Sequence, residues 1–239
     1  MSERITVALV DDQPLLRTGF SLILESEPDL AVLGEASDGA QGVQLVLNRA
    51  PDVVLMDVRM PVMDGIEATR RIVAQRPDTR VIILTTFDLD EYAFAGLRAG
   101  ASAFLLKDVA PEELVEAVRV VAAGDAVVAP RVTRRLLEAY VRPRGGAEDA
   151  VQADPAAARQ RALAREEGER RAGELTAREH EVLVALAAGY SNQEIAAEFF
   201  VSEATVKTHV RRVLAKLGLR DRVQAVVFAY EHGIVTPGG

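Results

Sequence analysis

Two rhythms of apolar residues alternate along the first half of this chain. Short runs dominated by apolar side chains stand at Ile5–Val10, 31–36, 53–56, 81–85 and 103–106. Apolar residues at consecutive positions predict strands buried on both faces, as in a parallel sheet covered by helices. Between and after these runs the spacing becomes helical, at 15–25, 40–48, 65–75, 91–99 and 111–122. Helix punctuation agrees: Asp38 stands where it can cap one start and Pro111 suits a first turn. Gly100 and Gly124 each follow an end. Five such βα units predict a doubly wound α/β domain with a five-stranded parallel sheet over residues 1–124.

The character then changes. Residues 125–173 form a linker, with a short helix predicted over 126–141, followed by Pro143, Gly145 and Gly146. The Ala/Arg/Glu stretch 156–171 contains a single leucine, Leu163. It has helix propensity but almost no apolar face, so it is expected to stay solvated. From Leu175 onward the pattern is helical throughout. Thr176 with Glu179 has capping-box spacing, and helices are predicted after Thr176, over 193–198, over 204–217 and over 222–232. Four helices joined by short turns across residues 174–239 predict an all-α helix-turn-helix domain.

Composition narrows the function classes. The chain of 239 residues has no cysteine, which excludes disulfides and thiol catalysis and suits a reducing compartment. Nothing in it approaches membrane-spanning length and it begins directly in a strand pattern, so a cytoplasmic protein with no membrane partner is expected. The net charge of -8 is unevenly spread. Residues 1–124 carry 20 acidic and 11 basic side chains, whereas 203–222 carry six basic and two acidic. An acidic body with one compact basic helix points to a focused contact with a polyanion.

Chemistry gathers at the strand ends. Asp11 and Asp12 close the first strand, Asp57 the third and Thr85 the fourth, while Lys107 follows the fifth. Each alone has an ordinary explanation as a cap, a β-former or a surface lysine. Together they fall where open parallel sheets bind ligands, beyond the carboxyl ends of the strands. A carboxylate captures a phosphoryl group only when the phosphoryl oxygens are neutralised. Mg²⁺ held by Asp12 and Asp57, with Asp11 acting through water, suits that need, because magnesium prefers a few carboxylates and several waters. Lys107 supplies a positive charge and Thr85 a hydroxyl to the transferred group. Phe104 can turn into space left when Thr85 moves.

Asp11-Asp12, Asp57 with Met60-Pro61 and Asp64-Gly65, Thr85, and Phe104 with Lys107 resemble the receiver domain of bacterial two-component response regulators. The resemblance spans residues 4–124. The stretches 84–88 and 100–108 are similar to the subfamily named after NarL and FixJ. It implies a flavodoxin-like fold, Asp57 as phosphoacceptor, a cognate sensor histidine kinase as phosphodonor, and the main-chain carbonyl of Arg59 as a further magnesium ligand. Two features depart from the wider family: Asp108 follows the lysine where many receivers carry proline, and the switch aromatic is Phe104, not tyrosine.

In the basic helix, Val206, Val210, Val213, Leu214 and Leu217 form an apolar stripe, and Lys207 and Arg211 share the opposite face with Thr208 beside them. Such a face fits the major groove of double-stranded DNA. Arg212, Lys216, Arg220 and Arg222 are placed for phosphates. Leu175-Thr176, Arg178-Glu179, Ser191-Asn192, Glu194-Ile195-Ala196, Thr205-Val206-Lys207 and Lys216-Leu217 resemble the LuxR-type helix-turn-helix over 174–235. That resemblance implies base reading by Lys207, Thr208 and Arg211. The expected whole is a transcription factor switched by phosphorylation of Asp57, binding DNA as a homodimer, with no enzymatic activity beyond its own phosphoryl transfer and slow autodephosphorylation. Two rivals stand beside it. An aspartyl-phosphate hydrolase of the haloacid-dehalogenase kind needs a second acid two positions after its nucleophile, where this chain has Arg59. A regulator with a vestigial pocket would not need the complete set of acids, threonine and lysine.

Overall fold

The computed structural model describes residues 4–86, 95–124 and 155–235. The chain divides into two compact units, one within Met1–Val127 and one within Val128–Gly239. The predicted helix over 126–141 lies outside the described residues, as does the start of the helix predicted over 91–99.

In the first unit, β1 (Ile5–Val10), β2 (Leu30–Ala36), β3 (Val53–Asp57), β4 (Arg80–Thr85) and β5 (Ala103–Leu106) form one sheet in the order β2-β1-β3-β4-β5. Every pairing is parallel. The helices are α1 (Pro14–Glu25), α2 (Gly39–Arg49), α3 (Gly65–Gln75) and α4 (Pro111–Ala122), with a helical turn over 95–98. Strand β3 is buried from end to end and β1 is buried from Val7 onward, as the doubly apolar runs require. Asp38 caps α2 by accepting from the Gln41 N–H at 2.9 Å, and Asp64 caps α3 by accepting from Glu67 at 2.8 Å. The chain leaves β1 toward β2 on one side and toward β3 on the other. A crevice therefore opens between the carboxyl ends of β1 and β3, at the point where the winding reverses.

The second unit is helical: α5 (Pro155–Ala172), α6 (Ala177–Ala187), α7 (Asn192–Glu198), α8 (Glu203–Lys216) and α9 (Arg222–Glu231). Capping boxes close the starts of α6 (Thr176 with Glu179) and α7 (Ser191 with Glu194), and Ser202 caps α8. Helix α8 packs against α6 and α7 through Val206, Val213 and Leu217, all buried. Between α7 and α8, Arg178 stacks over the Phe199 ring at 4.0 Å and donates to the Phe199 carbonyl at 3.0 Å, so the tight turn is held from α6.

Helix α5 departs from the fully solvated segment expected there. Arg159, Leu163, Glu166 and Glu167 are exposed, but Gly168 and Ala172 are buried, and the helix packs against α9. The contact is made by a glycine and an alanine. A search for an apolar face therefore does not see it.

Candidate functional site: an acidic crevice and a basic helix

At the carboxyl edge of the sheet, Asp11 follows β1, Asp57 ends β3, Thr85 ends β4 and Lys107 follows β5. All four are buried. The Lys107 Nζ lies 2.8 Å from Asp11 Oδ2 and 2.8 Å from Asp57 Oδ2. One ammonium thus bridges two carboxylates. Its backbone is set by a 2.8 Å hydrogen bond from the Lys107 N–H to the Thr85 carbonyl, which ties the tips of β4 and β5 together. Burial pushes the Asp57 carboxyl above its ordinary range, and the negative charge of Asp11 adds to this. Lys107 opposes both, as does the Arg59 N–H, which donates to Asp57 Oδ1 at 3.4 Å.

Carboxylate oxygens of Asp11, Asp12 and Asp57 lie within 4.8 Å of one another. Asp12 is exposed at the mouth, while Asp11 Oδ2 is buried, accepts no aligned hydrogen bond and lies 2.8 Å from the Lys107 ammonium. Three carboxylates, with Asp12 among them exposed to water, match the oxygen donors a divalent cation of magnesium's kind prefers. The donor set fits that cation.

The β3–α3 loop closes the crevice. Helix α3 starts so near the strand that a Cβ on Gly65 would lie 1.9 Å from the Asp57 carbonyl oxygen, so only glycine fits. Val62 in the same loop has φ of 68°, an uncommon conformation for a β-branched residue. A cavity of about 420 Å³ lies beside this loop, lined by Val58, Arg59, Met60, Asp64 and Ile66. Phe104 is buried on β5, opposite Ile83 in the sheet register.

Arg17 is the member of the site that pattern reading missed. Its Nη1 donates to the Asp11 carbonyl at 2.7 Å and its Nε to Glu35 at 2.7 Å, so α1 and β2 together hold the Asp11–Asp12 backbone. The Gln13 N–H donates to Asp11 Oδ1 at 2.8 Å and fixes that carboxylate further. In the sequence Arg17 is one more polar residue on an amphipathic helix, and its partners lie on other elements.

In the helical unit, Lys207, Thr208, Arg211 and Arg212 are exposed on α8. The other three predicted phosphate ligands are engaged within their own domain. Lys216 Nζ lies 2.6 Å from Glu179 Oε2 and donates to the Glu174 carbonyl at 3.2 Å. Arg222 donates to Asn192 Oδ1 at 3.1 Å and to the Tyr190 carbonyl. Arg220 is largely covered, with its Nε 3.7 Å from Asp221. These cations already serve carboxylates and carbonyls of their own domain, with which a phosphate would compete. Glu179, expected as a cap partner, is that and more. Lys216 first, then the Thr176 N–H, holds its carboxyl well below the usual range, down to about 2. His209 is half-buried on α8.

Residues 7–119 match the family described as response regulator receiver domain, and residues 173–229 match the bacterial regulatory proteins of the luxR family. The chain belongs to the two-component response regulators. It is 45% identical to the uncharacterized transcriptional regulatory protein YxjL of Bacillus subtilis, over 98% of both chains. It is 34% identical to the nitrate/nitrite response regulator protein NarL of Escherichia coli, over 97% of this chain and 98% of that one. A solved LuxR-family response regulator from Aurantimonas sp. SI85-9A1 is 34% identical, with a TM-score of 0.53, covering 58% of this chain and 99% of that one. This response regulator therefore joins a receiver domain to a LuxR-type DNA-binding domain, and its relatives are transcriptional regulators. Among the described residues no helix is long and apolar enough to cross a membrane.

Proposed function

We propose that this response regulator is a cytoplasmic transcription factor whose DNA binding is switched by phosphorylation of Asp57. The observation that carries the reading is the buried triad in which Lys107 stands 2.8 Å from both Asp11 and Asp57. An Asp57 oxygen attacks the phosphorus of a phosphohistidine on a partner sensor kinase. The new O–P bond forms as the P–N bond breaks, and the imidazole leaves. Lys107 moves its charge from the carboxylate to the transferred group, and the Thr85 hydroxyl donates to a phosphoryl oxygen. Asp11, Asp12, Asp57 and the Arg59 carbonyl are the residues that would hold Mg²⁺. Bound there, the cation neutralises phosphoryl oxygens. Slow loss of the phosphoryl group to water resets the site.

The added charge pulls Thr85 inward and Phe104 follows, which alters the surface of the 1–124 domain and favours a homodimer. Pairing matters energetically, because two half-sites multiply the modest specificity of one small helical module. In the 174–239 domain Lys207, Thr208 and Arg211 read bases and Arg212 contacts phosphate. Lys216, Arg220 and Arg222 act by holding the module together.

The test compares wild type with Asp57→Asn after incubation with acetyl phosphate and Mg²⁺. Wild type is expected to acquire one acyl phosphate and to bind DNA more tightly in consequence, and the variant to do neither. Equal phosphodonor-dependent DNA binding by the variant would refute the assignment.

A further inference from the structure

Helix α5 lies wholly ahead of the segment that matches the luxR family, which begins at residue 173. We infer that its last two turns are a working part of the DNA-binding module and that Arg171 is a positioning residue for α8. The inference rests on the reading of α8 as the helix that meets DNA.

Its first observation is a glycine. Gly168 sits inside a helix otherwise built from alanine, arginine, glutamate and other good helix formers, where glycine is among the poorest choices. A Cβ at this position would lie 2.1 Å from the Cβ of His232. The His232 ring stacks on Phe228 with centroids 4.2 Å apart, and the Arg171 guanidinium lies over the Phe228 ring at 4.9 Å. Residues 168 and 171 of α5 thus interlock with Phe228 of α9 and with His232, which caps its end. The spacings of three and four put each pair on one helical face.

The second observation is what Arg171 does with its remaining donors. It donates to the carbonyl of Leu217, the residue that ends α8. Gly218 follows with φ of 59° and leaves room beside the guanidinium. A cation on the last carbonyls of a helix meets the negative end of its dipole and satisfies an acceptor that the helix itself cannot. The carboxyl end of α8 is therefore tied to α6 through Lys216 and Glu179, and to α5 through Arg171. The tilt of α8 decides whether Lys207, Thr208 and Arg211 reach base edges together. The chain segment that leads into the module thus takes part in sequence reading as well as in spacing.

The experiment uses the full chain and the duplex that wild type enriches from a random-sequence pool, with a shuffled duplex as control. Arg171→Ala and Gly168→Ala are each expected to weaken binding to the enriched duplex about tenfold, the scale of one base contact, while leaving the shuffled duplex within about twofold. Gly168→Ala keeps every charge and adds helix propensity, so its effect comes from lost docking alone. Arg171→Lys should recover part of the loss. Arg159→Ala removes the same charge from an exposed position of α5 and should change neither affinity. Should Arg171→Ala unfold the module, as judged by circular dichroism, Gly168→Ala decides. Enriched-duplex affinity within about twofold of wild type in Gly168→Ala, or an equal loss in Arg159→Ala and Arg171→Ala, would overturn the inference. A wild-type chain that enriches no duplex would instead overturn the reading of α8 and take this inference with it.

Discussion

Replacing Lys107 by methionine keeps an unbranched side chain one atom shorter and removes the cation that bridges two buried acids. The Lys107 and Asp11 side chains are 4% and 2% exposed and the ion contacts are 2.8 Å. At that separation and an effective dielectric of about 20, each pair attracts by about 6 kcal/mol. Most of this is offset, because taking an ammonium and a carboxylate out of water costs several kcal/mol per ion. What remains when one partner is deleted is the uncompensated burial of the others, typically ~3–5 kcal/mol. Here two like charges are left together. Asp57, already pushed up by burial and by Asp11, would rise further. The variant should thus be penalised little at acid pH, where Asp57 is protonated, and increasingly as the pH climbs through its raised folded value. We predict that Lys107→Met lowers the stability of the N-terminal transition by about 3–5 kcal/mol at neutral pH in the presence of a chelator. Adding Asp57→Asn should restore more than half of the loss. Urea unfolding followed by circular dichroism, with the two domains fitted as separate transitions, measures both quantities. A Lys107→Met chain within about 0.5 kcal/mol of wild type, or a double variant less stable than the single one, would show that the triad is not held as described.

Two further outcomes follow from the helical domain. The Glu179 carboxyl is depressed to about 2 by Lys216 and the Thr176 N–H, so its contribution is present above the ordinary glutamate range and is lost as pH falls toward 2. Acid unfolding of this domain should therefore lose part of its pH dependence below about pH 4.5 in Glu179→Gln, and an unchanged acid limb would contradict the assignment. In DNA binding, Arg212→Ala should reduce the salt dependence by about one unit in the log–log slope, whereas Lys216→Ala should leave the slope unchanged and lower the melting temperature. The reverse pattern would put Lys216 on the duplex.

Among the described residues, the elements of both domains were legible from local spacing. The five apolar runs are the five strands to within a residue at each end, and the capping signals at Asp38 and at Thr176 with Glu179 form the bonds their spacing implies. These are interactions within one turn of chain, where three or four positions decide the geometry. The same logic placed Asp11, Asp12, Asp57, Thr85 and Lys107 at strand ends, and parallel pairing then brings strand ends to one edge of a sheet. It could not separate Arg212 from Lys216, Arg220 and Arg222. All four are basic residues on or beside one helix, and only the partners at Glu179, Glu174, Asn192, Tyr190 and Asp221 distinguish them.

By itself, then, the order of residues determined where strands and helices begin and stop, which acids and which lysine share an edge, and that a basic helix follows an acidic domain. Each of those depends on hydrophobic period and on hydrogen bonds between near neighbours. Tertiary structure alone decided that Lys107 bridges Asp11 and Asp57, that Arg17 holds the Asp11 backbone from α1, and that Gly168 and Arg171 bring α5 onto α9 and the end of α8. Those contacts join residues tens of positions apart or on different elements. Their energies depend on distances of a few ångströms that no local periodicity encodes.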